Sequence, residues 1–449
     1  MKIQKSTVKM MVLAGALLAV VPACKKKGCT DPEATNYNEE AKKDDGSCEY
    51  EDEAWYTEVT VGSETYNQIT GTITEDRTIT AADNWMISGG VFVGSGATLT
   101  IEPGATVFAA NDGTTPFLSV SQGGMINACG TAADPIVFTP VADAPTPGSW
   151  GGIILNGYAP INTGATAEGE GGTGTYGGDN PADNSGSLCY VRVEYAGKIL
   201  GTDNELNGFS FNGCGSGTTL HHLQAYKGSD DGFEFFGGTA SLKYAISSGN
   251  QDDSFDWTHG WSGNGQFWVV NQDAGGGDRG IEADNNGDNN EASPYSNPNI
   301  ANVTLIGVND GDDSNQGMKL REGTKGNFMN FAITGFPKRG CQVEHDVTIA
   351  NMDGGSLTMM NSIIDNVNPF VFTTSAGDDA TGVATFADAA NNNTTATDGS
   401  AVGFLSGYVG TTATGAGDPT AWDSWFDAAS YVGAVQSGSD WTAGWTKAL

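Results

Sequence analysis

Six short segments place polar residues, four of them ionisable, at one matching position: GFSFNG from Gly208, GFEFFG from Gly232, SFDWTHG from Ser254, RGIEADN from Arg279, GMKLREG from Gly317 and GCQVEHD from Gly340. In an extended strand successive side chains face opposite ways. With the apolar pairs Phe209/Phe211, Phe233/Phe235, Phe255/Trp257, Ile281/Ala283, Met318/Leu320 and Cys341/Val343 facing a core, the residues between them face out. Those are Ser210, Glu234, Asp256, Glu282, Lys319 and Gln342, followed by Asn212, Phe236, Thr258, Asp284, Arg321 and Glu344. Stacked about 4.8 Å apart, the first file sets three carboxylates on successive rungs and then a lysine. Like charges at that separation repel by about 1 kcal/mol in water and by more near a protein surface. A bound cation, Lys319 with Arg321, or raised carboxyl pKa values must compensate. The turns entering these strands add Asp230-Asp231, Asp252-Asp253, Asp278 and Asp312-Asp313, and the loop after Trp257 adds His259 and Trp261. The candidate ligand-binding set is therefore Glu234, Asp256, Glu282, Asp284, His259 and Trp261, with Ca2+ on Glu234, Asp256 and Glu282. The competing reading is a solvated acidic face in which Asn and Asp serve only as turn formers.

The elements that must position these residues are strands. A second pattern alternates with the first: LHHLQAY, LKYAISSG, FWVVNQD, NVTLIGV, NFAITG and TMMNSIID, between residues 220 and 365. Each segment is of strand length, alternates apolar with polar residues and is fenced by Gly, Asn or Asp. The first pattern returns at Gly208, Gly232 and Ser254, and a period of that size marks a solenoid. With 65 glycines among 449 residues and no run of 3.6 periodicity, helical and leucine-rich repeats are excluded. The expected fold is all-β, a right-handed parallel β-helix, with a small disulfide-stapled module before it. The GSGA and EPGA turns place its start near Gly89, giving a lead-in over 51–88, the β-helix over 89–374, an irregular loop over 375–420 and a Trp-rich cap over 421–449 that packs on the last coil. Residues 162–186, rich in Gly, Thr, Asp and Asn, leave the column as an insertion.

At the N-terminus, basic residues and a short apolar run over 1–23 predict a signal peptide. Val21-Pro22-Ala23-Cys24 resembles a bacterial lipobox, which implies lipidation of Cys24 and an outer-membrane lipoprotein held by its lipid alone, periplasmic or surface-facing. Over 24–50, Asp31, Asn36, Asn38, Asp44 and Asp45 crowd oxygen ligands suited to Ca2+ into one loop. That segment resembles a small module, CTDxxAxNYNxxAxxDDGSC, of Bacteroidota envelope proteins, and the resemblance implies a Cys29–Cys48 disulfide. Cys189 and Cys214 lie one coil apart and either bond or stay as buried thiols; Cys129 and Cys341 also fall in the repeats. With 20 basic against 54 acidic residues, net −34, nucleic acid is excluded as a partner. His221-His222 reads as a strand edge, and the glycines of 275–290 lack the helix of a phosphate loop.

The run DDGFEFFGG, DDSFDWTHGW, DRGIEADNNG, KLREG and the closing DWTAGWT resembles a family of bacterial β-helix envelope lipoproteins frequent in Bacteroidota. The resemblance implies the architecture and supplies no catalytic residues. The expected function is a non-enzymatic binding or adhesion module for polysaccharides or envelope proteins, assisted by Ca2+. The alternative is a polysaccharide lyase, with Ca2+ on the carboxylates and Lys319 or Arg321 as base, or a glycoside hydrolase using Asp252, Asp253 and Asp256. THG at 258–260 and KLRE at 319–322 only partly match pectinase motifs, and fold analogy alone does not establish activity.

Overall fold

The computed structural model describes residues 25–49, 55–202, 204–308, 315–379, 384–397, 402–404, 407–411 and 414–447. It divides into two units, Met1–Trp55 and Tyr56–Leu449. The signal segment 1–23, Cys24 and the Asp312-Asp313 turn lie outside the described residues.

Alternation sets the coil of the larger unit. The twelve residues expected to face inward are at most 1% exposed. Each short strand stacks on the next in parallel and in register: Phe209–Asn212, Phe233–Phe236, Phe255–Thr258, Arg279–Ala283, Gln316–Leu320 and Arg339–Glu344. The ring of Phe233 lies 5.1 Å from Phe209 and 4.9 Å from Phe255, nearly parallel to both. Close stacking also explains the small residue that opens these strands. A Cβ on Gly280 would come within 2.6 Å of the Gly317 carbonyl oxygen on the next coil.

Between the short strands run long ones, among them Thr219–Tyr226, Ser241–Ser248, Asn264–Asn271, Asn299–Ile306 and Gly326–Thr334. Each is bent at one residue with left-handed backbone: His222, Tyr244, Phe267, Asn302 and Asn330, with φ between 54° and 63°. That conformation costs a non-glycine residue about 1–2 kcal/mol. It recurs because the side chains at the corner stack: His222 sits 4.2 Å from Tyr190 and 4.4 Å from Tyr244, and Tyr244 4.8 Å from Phe267. Asn, the residue most tolerant of this region, takes over further along. Among the described residues, 27 strands form one sheet, parallel except where Thr57–Val61 returns on Glu64–Ile73 and Phe370–Thr374 on Gly377–Asp379. The molecule is a parallel β-helix.

Four expectations need correction. Coiling starts upstream of Gly89, because Glu64–Ile73 already pairs in parallel with Trp85–Val93. The stretch 375–420 is not wholly irregular, since Thr394–Ala396 adds a rung beside Ile363–Asp365. The Trp-rich end is not a cap on the last coil. It runs back along the column as a strap: Gly417 bonds Asn330, Tyr431 accepts from Asn302 at 2.8 Å, Asp427 accepts from Gln266 at 2.9 Å and Trp445 accepts from Arg192 at 2.8 Å. Finally, Cys189 pairs with Cys129, its neighbour in register, and not with Cys214, which stays a buried thiol like Cys341.

In the smaller unit, Cys29 and Cys48 are joined by the expected disulfide. Asp31, Asn38, Asp44 and Asp45 each accept a backbone N–H two residues on, and Asn36 accepts that of Glu49. Those oxygens serve turns there, and among the described residues the groupings of three or more acidic, His or Cys ligands fall only in the β-helix.

Candidate cation-binding site

Two parallel files of side chains make up the acidic face. One is the expected file, in which Ser210, Glu234, Asp256, Glu282, Lys319 and Gln342 are in register. The other comes from the turn entering each strand, three residues earlier: Asn207, Asp231, Asp253, Arg279, Gln316 and Arg339. The rungs of Asp231/Glu234 and Asp253/Asp256 thus carry carboxylates in both files. Arg279 and Lys319 bring the first positive charges only on the next two.

Carboxylates converge in four overlapping triads whose oxygens lie within 4.8 Å of one another: Asp230–Asp231–Asp252, Asp231–Glu234–Asp256, Asp252–Asp253–Asp278 and Asp253–Asp256–Glu282. Oxygens bound to one Ca2+ at 2.3–2.6 Å are at most about 5 Å apart, so the spacing fits. In the last triad every member keeps a buried oxygen without a hydrogen bond, Asp253 Oδ1, Asp256 Oδ1 and Glu282 Oε1. Glu282 Oε1 lies 3.0 Å from Arg279 Nε, but not in hydrogen-bond alignment. Buried oxygens are ordinarily satisfied, and a triad whose members each keep one without a hydrogen bond could hold a hard cation.

Burial dominates the electrostatics. It pushes the Asp231, Glu234, Asp253 and Asp256 carboxyls well above the usual range, and neighbouring carboxylates add to it. Asp230 is raised to about 8 by burial and then by Asp252. These residues point away from the core, yet Asp253, Glu282 and Glu234 are only 3, 6 and 9% exposed. The cover comes from two distant segments. The insertion supplies Tyr176, packed on Ile161 and Phe236, and Glu170, which burial and Glu205 raise to about 7. The segment around Leu206 supplies Asn207, whose Nδ2 donates to Glu234 Oε2 at 2.5 Å.

The basic groups are committed. Arg321 holds Asp284 through Nε at 2.8 and 3.0 Å and Glu282 through Nη2 at 2.6 Å. Arg279 holds Asp278 at 2.7 Å and Asp253 at 3.3 Å. Lys319 is paired with Glu344 at 2.9 Å.

Glu234, Asp256, Glu282 and Asp284 are therefore brought together as expected, with Asp252 at the exposed rim. His259 is adjacent to the cover, 3.4 Å from the Tyr176 hydroxyl, and burial lowers its pKa. Trp261 does not belong to the site: it is fully buried, stacks 4.2 Å from Phe235, and donates its indole N–H to the Ala240 carbonyl. Glu170, Glu205 and Asn207 were missed. Their only signal is three polar residues in Gly-rich or short connecting stretches, without the period that marks the ladder. Arg279 was passed over although it occupies the file position of Asp231 and Asp253.

Comparison with known proteins agrees with this architecture. A family model described as a pectate-lyase-like beta helix domain matches residues 71–446. No curated protein and no solved structure gave a match. On the extent of that match, the chain belongs to the pectate-lyase-like β-helix domain family.

Proposed function

We propose that this is a non-catalytic, calcium-dependent binding module of the cell envelope, tethered through Cys24, that engages a polysaccharide or an envelope protein. The observation that supports it best is the triad of buried oxygens on Asp253, Asp256 and Glu282 that accept no hydrogen bond. These residues, with Asp231 and Glu234 on the preceding rung, would hold Ca2+. When bound, the ion neutralises carboxylates that otherwise repel one another under the insertion. A lysine or arginine can act as general base only when it is neutral and within reach of the proton that it takes. Arg279, Arg321 and Lys319 are instead held in ion pairs with carboxylates, and the acids around them are shielded from a polymer chain. That favours binding over turnover.

The second reading, a polysaccharide lyase or glycoside hydrolase, draws on the family description and on the exposure of Asp252 at the rim. One set of measurements separates the two. The full chain is melted with Ca2+ and with chelator, and incubated with acidic and neutral polysaccharides while unsaturated and reducing ends are followed. Binding predicts a higher melting temperature with Ca2+, lost in Asp256→Asn, and no product. Ca2+-dependent product release that disappears in Lys319→Ala or Asp256→Ala makes the protein an enzyme. No response to Ca2+ in either assay leaves the face a purely structural one.

A further inference from the structure

A second concavity lies on a different face of the coil, where the first halves of the long strands meet the C-terminal strap. It is a groove of about 780 Å3, and its lining includes Thr219, His221, Lys243, Tyr244, Asn264 and Trp425. That volume is in the range of small-molecule sites.

Its one lysine is already paired from within. Lys243 Nζ donates to the Trp425 carbonyl at 2.8 Å and pairs with Asp427 at 3.2 Å. Asp423 accepts the Trp425 backbone N–H at 2.8 Å. His221 and His222 share a hydrogen bond between their Nδ1 atoms at 3.0 Å, which requires that at least one ring be uncharged. Burial lowers the pKa of both. Apart from the exposed Asp423 carboxylate, what remains is uncharged: the hydroxyls of Ser216, Thr219 and Ser262, the Asn264 side-chain N–H, and the half-buried indole of Trp425, whose ring already carries Lys243 Nζ 4.5 Å from its centroid. Convergent hydroxyl and amide groups around an aromatic ring suit a ligand with polar edges and an apolar C–H face.

We propose that this groove is a binding site for a neutral oligosaccharide, separate from the acidic face and independent of calcium. An anionic ligand would have to break the Lys243–Asp427 pair to reach the groove's lysine. A neutral polyhydroxylated chain need not. The site stands whether or not the acidic face holds Ca2+, because none of the carboxylates of the four triads lines it.

The test is isothermal titration of the full chain with hexasaccharides of β-1,4-glucose, β-1,3-glucose, β-1,4-xylose and β-1,4-mannose, in chelator. At least one should bind. Affinity should fall at least 10-fold in Trp425→Ala and in Thr219→Trp, which fills the groove from an exposed position without touching the core, and should be unchanged when Ca2+ replaces the chelator. Binding unaffected by Thr219→Trp, or confined to acidic sugars with Ca2+, or absent for all four probes, overturns the assignment. Loss of the Ca2+ response alone would count against the acidic site and leave this one standing.

Discussion

Phe233 is enclosed between Phe209 and Phe255, with no exposed surface. Phe233→Ala removes both stacks and opens a cavity that strands fixed in register cannot close. Chemical denaturation should report a loss of about 4 kcal/mol. Arg321→Met leaves Glu282 and Asp284 without their cation in a buried setting, and the same measurement should show a loss of about 3 kcal/mol. The acids themselves predict a pH dependence. Glu170, Asp230 and Asp284 are raised to about 7, 8 and 6, by burial foremost. Their folded pKa values exceed the unfolded ones near 4, so the folded state binds more protons between those limits. Stability is then full at low pH and is lost as pH rises through 6 to 8. In chelator the melting temperature should be lower at pH 8 than at pH 5.5, and calcium, replacing protons, should flatten that slope. The inward and outward sides of Glu234 and Asp256 were legible because period-two alternation leaves no other register. The burial of that file was not, because its cover folds in from segments without any period. Trp261 misled for a related reason: it follows a turn, where alternation no longer says which way a side chain faces.

At the scale of elements, each long strand uses one left-handed residue as a corner, and the corner side chains form a ladder from Tyr190 through Phe267 to Asn361. The amides of this ladder dock the strap: Asn302, Asn330 and Asn361 donate to Tyr431, Gly417 and Gly415. The strap's own anchor is Trp445, 1% exposed and edge-on to Tyr190 and His222. Trp445→Ala should cost about 3 kcal/mol. Hydrogen exchange should quicken in the strap and in the strands ending at Glu194, Tyr226 and Ser248, while the coils beyond Gln316 keep their protection. Sequence spacing identified DWTAGWT as a terminal packing element but misassigned its partner. Nothing in an aromatic-rich tail states which rung it reaches. The Cys129–Cys189 bridge was hidden in a similar way, since the insertion's neighbouring segments obscure which coils are adjacent.

Over the whole molecule, a net charge of −34 disfavours compaction, and the buried triads add a local share of that repulsion within the β-helix. The strap adds something a simple solenoid lacks. Stacked coils interact only with their neighbours, and such a stack opens from either end, rung by rung. Here Arg192 is bonded to Trp445, 253 residues later. That contact closes the column into one long loop, and the entropy of closing it must be met before the strap contributes any stability. Early coils can form as the chain emerges, but their flank is sealed only when the last residues arrive. Unfolding meets the same latch in reverse: the late coils cannot peel away until the tail has let go of the early ones.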